Sequence, residues 1–258
     1  MICVIRIDSR ISVIIFMKRG LFILIEGTDG SGKTLQTKIL VKRLKKLGKK
    51  VAEISFPRYG NKSSALVEDY LNGKFGSARE VGPYRASVFY AIDRYAASFD
   101  IKKWLAQGKI VVCNRYVGSN LAHQGGKIKN KSERKKYIAW NYNLEYNIFG
   151  IPKPDISLIL HVTPRVSQEL VDKKGAREYL HGKKRDIHED DLRHLHDAEQ
   201  AYLQIAKTFK EYKLIECVEK NKILLPEKIH KKIWHTIKSS ISRLPRFARH
   251  CGQVNLKS

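Results

Sequence analysis

Eight residues, 27–34, have the glycines, lysine and threonine that phosphate chemistry requires. Their sequence, GTDGSGKT, matches the pattern G-x-x-x-x-G-K-[ST]. Glycines at these positions let backbone N–H groups close around phosphate oxygens, and the N-terminus of a following helix adds partial positive charge. In such a loop Lys33 reaches the outer phosphates of a nucleoside triphosphate, and the Thr34 hydroxyl can ligate Mg²⁺. The motif therefore predicts a binding site for nucleotide phosphates.

The segments on either side of the motif predict the elements that must position it. Residues 21–25 form an apolar run, which indicates a buried strand leading into the loop. After the loop, Leu40, Leu44 and Leu47 share one face of a predicted helix, and Gly48 supplies its C-terminal stop. A chance glycine-rich turn would lack this strand–loop–helix context, so we interpret the motif as functional.

Strands and helices alternate along the rest of the chain, which predicts an α/β fold with a parallel sheet covered on both faces. No internal repeat is visible, and 258 residues suffice for one such domain with a full core. Further strands are predicted at residues 51–55, 109–113, 155–162 and 213–217, and helices at 63–72, 83–106, from 164 onward, 188–212 and 226–238.

Both ends of the chain differ from this central region. Residues 1–16 mix apolar and charged residues; their apolar run is too short to span a bilayer, and they lack a signal-peptide layout. We interpret them as a disordered extension or a misassigned start before Met17, with an edge strand as the alternative. Residues 239–258 are basic without an acid, and we expect a loosely ordered tail. The predicted domain is therefore 17–238.

The chain is strongly basic, because it contains 50 Lys and Arg and only 25 Asp and Glu, which gives a net charge of +25. Such charge can attract nucleic acid or polyanionic nucleotides. The basic residues are spread along the chain without an aromatic-studded stripe, so we favour a solvated surface over nucleic-acid binding, and no membrane association. Four cysteines lie far apart without a CxxC pair, which argues against a zinc or disulfide framework and favours a reducing cytoplasm.

Two segments imitate the guanine-binding motifs of GTPases. Residues 130–133 are NKSE, which ends in Glu where N-K-x-D requires Asp, and they follow a polar loop. Residues 172–175 are DKKG, which imitates D-x-x-G inside a charged helix. These mismatches argue against a GTPase and leave ATPases and small-molecule kinases open.

Four further segments narrow the class of protein. FPRYG (56–60) follows the second strand, YAIDR (90–94) lies on the long helix, NRYVGSN (114–120) follows the third strand, and a polar basic connection spans 177–189. With the phosphate-binding loop, these segments resemble the thymidylate kinase family over about residues 17–238. The resemblance implies a five-stranded parallel sheet flanked by helices, and a cytoplasmic enzyme that uses Mg²⁺ to transfer the γ-phosphate of ATP to dTMP. It also implies a homodimer, with helix 83–106 as a candidate interface, although the apolar residues of this helix could equally belong to the core.

The resemblance also implies residue roles. The ATP site comprises Gly27, Thr28, Asp29, Gly30, Ser31, Gly32, Lys33, Thr34 and Leu35, with Thr34 and Asp29 at the metal. The dTMP site comprises Asp29, Phe56, Pro57, Arg58, Tyr90, Arg94, Arg115, Asn120 and His123. In it, Arg94 and Arg115 bind the acceptor phosphate. Tyr90, which shares a helix face with Arg94 at i and i+4, stacks on the base, with core packing as its alternative. Asn120 pairs with the pyrimidine edge, His123 lies near the sugar, and Arg58 lies near the phosphate or the base, with a solvated loop residue as its alternative.

A mobile lid is implied at about residues 175–187. Family members place a catalytic arginine either in the phosphate-binding loop or in the lid, and this chain has Gly30 at the loop position. The lid must then supply the positive charge that phosphoryl transfer needs. Arg185 is the first choice, followed by Lys184 and Arg177, with Lys183 alongside them. The implied catalytic residues are therefore Lys33, Arg115 and Arg185.

Three departures from the family pattern leave alternatives open. Asn114 replaces the usual Asp, which removes a negative charge near the metal; Asp29 or Asp93 could compensate. His123 stands where many members have Tyr, which leaves sugar discrimination open, and the order of charged residues in the lid differs. A kinase for another pyrimidine nucleotide or a deoxynucleoside is the nearest alternative, and a nucleotide-dependent RNA-binding protein is a more distant one.

Overall fold

The computed structural model describes residues 2–8, 11–16, 19–172 and 192–243. The strands are β1 (Ile2–Asp8), β2 (Ile11–Phe16), β3 (Phe22–Glu26), β4 (Val51–Ser55), β5 (Ile110–Asn114), β6 (Ile156–His161), β7 (Tyr212–Glu216), β8 (Val218–Glu219) and β9 (Lys222–Ile223). The α-helices are α1 (Lys33–Lys46), α2 (Ala65–Leu71), α3 (Ala78–Ala106), α4 (Val117–Ser119), α5 (Lys131–Tyr142), α6 (Pro164–Asp172), α7 (Leu192–Thr208) and α8 (Pro226–Ser242).

Five of these strands form one parallel sheet in the order β4-β5-β3-β6-β7. Every residue of β3 and of β5 is buried, as expected when helices cover both faces of a parallel sheet. The predicted five-stranded parallel sheet is confirmed. The segments that follow β3, β4 and β5 leave from the carboxyl ends of parallel strands, which is the edge at which open α/β sheets bind ligands.

The alternation of side chains along β3 divides the core into two layers. Phe22 and Leu24 point to the layer that contains residues of α3 and α7, including Ile101. Ile23 and Ile25 point to the opposite layer, which contains residues of α1 and α8. The strand that carries the phosphate-binding loop is thus anchored on both faces.

The long helix α3 begins earlier than its sequence predicts. Ser77 and Glu80 form a capping box that starts the helix at Ala78. Gly82, at φ 73°, then breaks the regular backbone, and Pro83 opens the straight segment that the sequence predicts. The predicted start at residue 83 therefore marks a kink within the helix.

Several predicted boundaries also differ from the structure. Leu47 is 52% exposed after the last residue of α1, so it does not share the buried face of Leu40 and Leu44. Helix α7 ends at Thr208, four residues before the predicted end, and α8 continues to Ser242, into the predicted tail.

Strands β1 and β2 pair with each other as an antiparallel hairpin. Among the described residues, no helix combines the length and apolar character needed to cross a bilayer.

Candidate functional site

The phosphate-binding loop connects β3 to α1 and is shaped by its glycines. Gly27, Gly30 and Gly32 have φ values of 143°, 80° and 82°, a region that residues with a side chain rarely adopt. A Cβ atom at Gly30 would lie 2.4 Å from the carbonyl oxygen of Ser167 on α6. The fold therefore leaves no room at this position for the arginine that some members of the resembled family carry there.

Lys33, the first residue of α1, folds back over this loop. Its Nζ donates to the carbonyl oxygen of Thr28 at 2.7 Å, and its side chain is buried. Gly32 precedes the helix and offers no side chain to cap the first turn. The helix N-terminus and the lysine together create a concentration of positive charge suited to phosphate oxygens.

Arg115 follows β5 and faces the loop. Its backbone lies in the left-handed region at φ 65°, which is uncommon for a residue with a side chain and is frequent at functional sites. Its guanidinium pairs with the Asp29 carboxylate and contacts His123 Nε2 at 3.1 Å. Burial is the largest single influence and lowers the pKa of Arg115, but the charge of Asp29 together with Tyr202, Glu26 and Tyr59 outweighs it, so the net shift is upward. Arg115 therefore stays positively charged.

A buried carboxylate at the end of β3 holds the segment that follows Arg115. Glu26 accepts the backbone N–H groups of Tyr116 at 2.8 Å and Ser119 at 3.1 Å. It also accepts the Ser119 hydroxyl at 2.7 Å and the Tyr202 hydroxyl at 3.0 Å. These bonds explain how the unusual backbone at Arg115 is maintained. Glu26 is absent from the predicted site residues. The sequence did offer an indication of its role, because an acidic residue directly after an apolar run is unusual in a buried strand.

Arg94 is held by a second carboxylate, which sequence reasoning missed. Arg94 Nε donates to Glu145 Oε2 at 2.5 Å and Nη2 donates to Oε1 at 2.8 Å. The side chains of Arg94 and Glu145 are 2% and 0% exposed. This paired geometry fixes the guanidinium plane, while Nη1 lies 3.4 Å from the carbonyl oxygen of Tyr116. Nothing in the pattern around Glu145 distinguished it from other surface acids.

One cavity of about 660 Å³ connects these groups. Among its lining residues are twelve of the predicted ones: Asp29, Gly32, Lys33, Thr34, Leu35, Phe56, Pro57, Tyr90, Arg94, Arg115, Asn120 and His123. Residues outside the predicted ATP and dTMP sites complete the lining: Lys38, Ser55, Tyr59, Leu71, Asn114, Ser119 and Gln124. Residues far apart in sequence thus share a continuous space that begins at the phosphate-binding loop.

Asn120 presents a defined hydrogen-bonding face to this cavity. Its amide nitrogen is committed to the carbonyl oxygen of Ser87 at 3.1 Å and to Asn141 and Glu145 at 3.3 Å each. Among the described residues, no hydrogen bond to its amide oxygen is found. Tyr90 also lines the cavity, and its ring packs edge-to-face on Tyr70 with centroids 6.4 Å apart. An acceptor and an aromatic ring are therefore available at this end.

Arg58 forms an ion pair and is not among the residues that line the cavity. Its Nε donates to Asp93 Oδ1 at 2.9 Å and its Nη2 donates to the Ser63 hydroxyl at 2.7 Å. Asp93 is 1% exposed and is committed to this cluster, so it cannot compensate for Asn114. Arg58 is therefore held in an ion pair with its side chain 20% exposed, and its role toward a substrate stays a prediction.

Asn114 and Thr34 bring neutral oxygen ligands together. Asn114 Nδ2 lies 3.4 Å from Thr34 Oγ1, while its Oδ1 is buried without a hydrogen-bond partner. Since an amide can present either atom after a half-turn, this oxygen can be directed to the Thr34 side. The pair fits a magnesium ion that keeps waters and phosphate oxygens as its other ligands. In the described segments no group of three or more His, Cys, Asp or Glu side chains could hold a metal ion, and Asp29 is paired with Arg115.

The predicted lid lies outside the described residues. This applies to Arg177, Lys183, Lys184 and Arg185 alike. The described part of the site therefore contains both ends of the cavity, and the lid arginine stays a prediction.

Comparison with known proteins gives a consistent result. The family model for thymidylate kinase matches residues 25–233. The thymidylate kinase of Mycobacterium tuberculosis is 30% identical over 172 residues, which cover 66% of this chain and 78% of that protein. The thymidylate kinase of Plasmodium falciparum is 31% identical over 156 residues, which cover 60% of this chain and 68% of that protein. The solved structure of thymidylate kinase from Candida albicans superposes with a TM-score of 0.67 at 23% identity, and covers 86% of this chain and 93% of that one; at this identity the likeness concerns the fold.

Proposed function

This chain belongs to the thymidylate kinase family, and we propose that the cavity described above is where it performs the reaction of that family. It is a nucleoside monophosphate kinase, which transfers the γ-phosphate of ATP to dTMP and forms ADP and dTDP. The observation that carries the assignment to this cavity is its lining, because Lys33, Arg94, Arg115 and Asn120 all border one space. Each of these residues suits a different part of the two substrates.

The donor end is proposed to hold the ATP phosphates in the loop of residues 27–34. Backbone N–H groups of the loop and of the first turn of α1 can donate to phosphate oxygens, because no side chain caps that turn. Lys33 Nζ, now on the carbonyl oxygen of Thr28, needs only a local movement to meet a γ-phosphate oxygen. Its charge would stabilise the negative charge that spreads over the transferring group.

The acceptor end is proposed to hold the dTMP phosphate between two guanidiniums. Arg115 is fixed by Asp29 and His123, and Arg94 by Glu145, so both groups are oriented before the substrate arrives. Paired N–H donors on a planar fork match phosphate oxygens. An attacking phosphate oxygen can be held near the donor loop because Asp29 belongs to that loop. The oxygen forms the new P–O bond, and the bond from the γ-phosphorus to the bridging oxygen breaks as ADP leaves.

The base is proposed to lie against Asn120 and Tyr90. With its nitrogen committed to protein acceptors, Asn120 offers an oxygen, which can accept the N3–H of thymine. Cytosine has an unprotonated N3 and would place two acceptors together, which costs the site a hydrogen bond. Uracil has the same N3–H as thymine, so this contact alone favours thymine and uracil over cytosine. The side chains of Phe56 and Pro57 also line the cavity and provide apolar contact for the base.

Mg²⁺ is proposed to bind beside Thr34 and Asn114, with donor phosphates completing its coordination. The ion would neutralise charge on the phosphates and help align them for transfer. Asn114 supplies an uncharged oxygen where the family usually has a carboxylate, so we expect weaker metal binding than in those relatives. The lid cation is proposed to be Arg185, and Arg185→Ala should lower kcat more than tenfold if it stabilises the transferring group. A change confined to KM would instead favour Lys184 or Arg177.

A homodimer is proposed through the outer face of α3. Tyr95 and Phe99 are 42% and 60% exposed, and the Tyr95 ring packs on Phe99 and Phe149 with centroids 5.4 and 5.1 Å apart. The neighbouring Ile148 is 67% exposed, which makes a contiguous apolar patch suited to a partner surface. Light scattering should give a dimer for the wild type and a monomer for Phe99→Ser, while Phe75→Ser, at a 41% exposed site elsewhere, stays dimeric. A monomeric wild type would contradict the proposal.

We further propose a cytoplasmic enzyme that does not bind nucleic acid. Cys113 and Cys217 are buried free thiols, as suits a reducing compartment. The alternative is a nucleotide-dependent RNA-binding protein, in which the net charge of +25 would bind RNA phosphates. This alternative predicts an affinity for RNA that falls steeply as the salt concentration rises. RNA binding without turnover of dTMP would favour that alternative.

The experiment that tests the proposed function is a substrate panel. Initial rates of ADP release are measured with ATP, Mg²⁺ and dTMP, dUMP, dCMP, UMP or thymidine. We expect dTMP to have the highest kcat/KM, dUMP to follow, and dCMP to be poor because of Asn120. Thymidine should also be poor, because it lacks the phosphate that Arg94 and Arg115 bind. Thymidine or UMP as the preferred acceptor would overturn the assignment of the acceptor site.

A further inference from the structure

A second imidazole lies behind the acceptor end of the cavity. His194, the third residue of α7, is 8% exposed, and its ring centroid is 5.4 Å from that of His123. His194 Nε2 lies 3.2 Å from His123 Nδ1, and His123 Nε2 lies 3.1 Å from Arg115 Nη1. Arg115 in turn pairs with Asp29. A chain of contacts therefore runs from α7 to the phosphate-binding loop.

The donor and the acceptor of each hydrogen bond between His194, His123 and Arg115 follow from the chemistry of these side chains. A guanidinium has only donors, so His123 Nε2 must accept the hydrogen bond from Arg115. A neutral imidazole that accepts at Nε2 carries its proton at Nδ1, and that proton is donated to His194 Nε2. His194 must then accept at Nε2. His123 is neutral because burial and the charge of Arg115 hold its pKa well below its ordinary value.

We propose that His194 is a positioning residue for phosphate transfer, because it selects the form of His123 that accepts a hydrogen bond from Arg115. Without an acceptor at His194 Nε2, His123 can move its proton to Nε2. That proton would face an N–H of Arg115, and the guanidinium would lose one of the three side chains that contact it among the described residues, which are Asp29, His123 and Ser119. The inference rests on the proposed role of Arg115 as a ligand of the dTMP phosphate.

Substitutions at His194 separate this role from simple packing. His194→Leu fills the space without an acceptor, whereas His194→Gln keeps an oxygen that can accept from His123 Nδ1. His196→Leu is the matched control, because His196 lies two residues further along α7 and its side chain is 61% exposed. Circular dichroism of each variant establishes that the fold is retained.

The first readout is the protonation pattern of His123, observed by long-range ¹H–¹⁵N NMR on the full chain without substrates, with His123→Asn to assign the signal. We expect the proton at Nδ1 in the wild type, in His194→Gln and in His196→Leu, and a shift toward Nε2 in His194→Leu. A wild-type His123 protonated at Nε2, or a pattern unchanged in His194→Leu, would overturn the inference. This readout does not depend on turnover, so it is independent of the proposed function.

The second readout is steady-state kinetics with ATP and dTMP. We expect His194→Leu to raise KM for dTMP by about tenfold, the loss expected for a hydrogen bond to a charged group, and to leave KM for ATP within about twofold. His194→Gln should restore most of the loss, and His196→Leu should match the wild type. Equal changes in both KM values, or no change in either, would overturn the positioning role. Absence of dTMP turnover in the wild type would overturn the proposed function while leaving the NMR result to stand by itself.

Discussion

Replacing Glu145 by Gln removes the negative charge from the carboxylate that grips Arg94. Four hydrogen bonds converge on this carboxylate: Arg94 Nε at 2.5 Å, Arg94 Nη2 at 2.8 Å, Asn141 Nδ2 at 2.9 Å and Asn120 Nδ2 at 3.3 Å. The Gln amide keeps one oxygen but turns an N–H toward a guanidinium or amide N–H. The substitution therefore leaves a buried positive charge without its counterion.

The magnitude follows from the burial of the pair. The side chains of Arg94 and Glu145 are 2% and 0% exposed, so solvent cannot replace the lost partner. Removing one member of a buried ion pair costs about 3–5 kcal/mol. Because Gln retains one acceptor, we expect a loss of about 3 kcal/mol, a large part of the roughly 5–15 kcal/mol typical of a folded domain. KM for dTMP should also rise, because Arg94 loses its orientation.

Urea unfolding followed by circular dichroism measures this loss. The matched control is Glu133→Gln, since Glu133 is 54% exposed and pairs with Lys136 at 2.9 Å; its loss should not exceed about 1 kcal/mol. The double variant Arg94→Met with Glu145→Leu should recover most of the stability, because it removes both charges, yet bind dTMP poorly. A loss below about 1 kcal/mol for Glu145→Gln, or a double variant that still binds dTMP normally, would refute the reasoning.

Three further substitutions test other parts of the site and fold. Lys33→Met should lower kcat by about a hundredfold or more while the urea midpoint stays near that of the wild type, since Lys33 serves the ligand; an unchanged kcat in the coupled assay would remove the donor-site assignment. Asn114→Asp should lower the Mg²⁺ concentration that gives half-maximal rate by about fivefold, because a charged acceptor replaces a neutral one; a metal titration that shows no decrease would contradict the proposed metal site. His161→Gln tests proton linkage: burial lowers the pKa of His161, but the hydrogen bonds to Glu216 and Glu199 and the charges of these two carboxylates together outweigh it and raise that pKa above 6.5. Since the folded pKa is raised, this stabilisation is complete below pH 6.5 and is lost as pH rises through the folded value, so the gap in unfolding free energy between wild type and variant should narrow from pH 6 to pH 9; a constant gap would contradict it.

Local patterns in the sequence were sufficient to predict most of the fold. Residues 21–25 and 110–113 are apolar runs, and the structure buries them in neighbouring strands. Gly48, the predicted C-terminal stop of α1, follows the end of that helix at positive φ. The kink at Gly82 was missed because the capping box at Ser77 extends the helix before Pro83.

The partners of the site residues could not be predicted, because they are distant in sequence. Arg94 and Glu145 are 51 positions apart, and His123 and His194 are 71 apart. Motifs indicate which side chains could touch a substrate, but they carry no information on which buried groups hold those side chains in place. Arg58 illustrates the limit, since a loop arginine was open to several roles until Asp93 was seen to bind it.

A crystal structure with dTMP and a non-hydrolysable ATP analogue bound together tests the central claim most directly. The account predicts the dTMP phosphate within about 2.7–3.2 Å of N–H groups from both Arg94 and Arg115, with N3 of the base at Asn120 Oδ1. It also predicts the triphosphate in the loop of residues 27–34. A dTMP molecule bound with its phosphate away from both arginines would contradict the account.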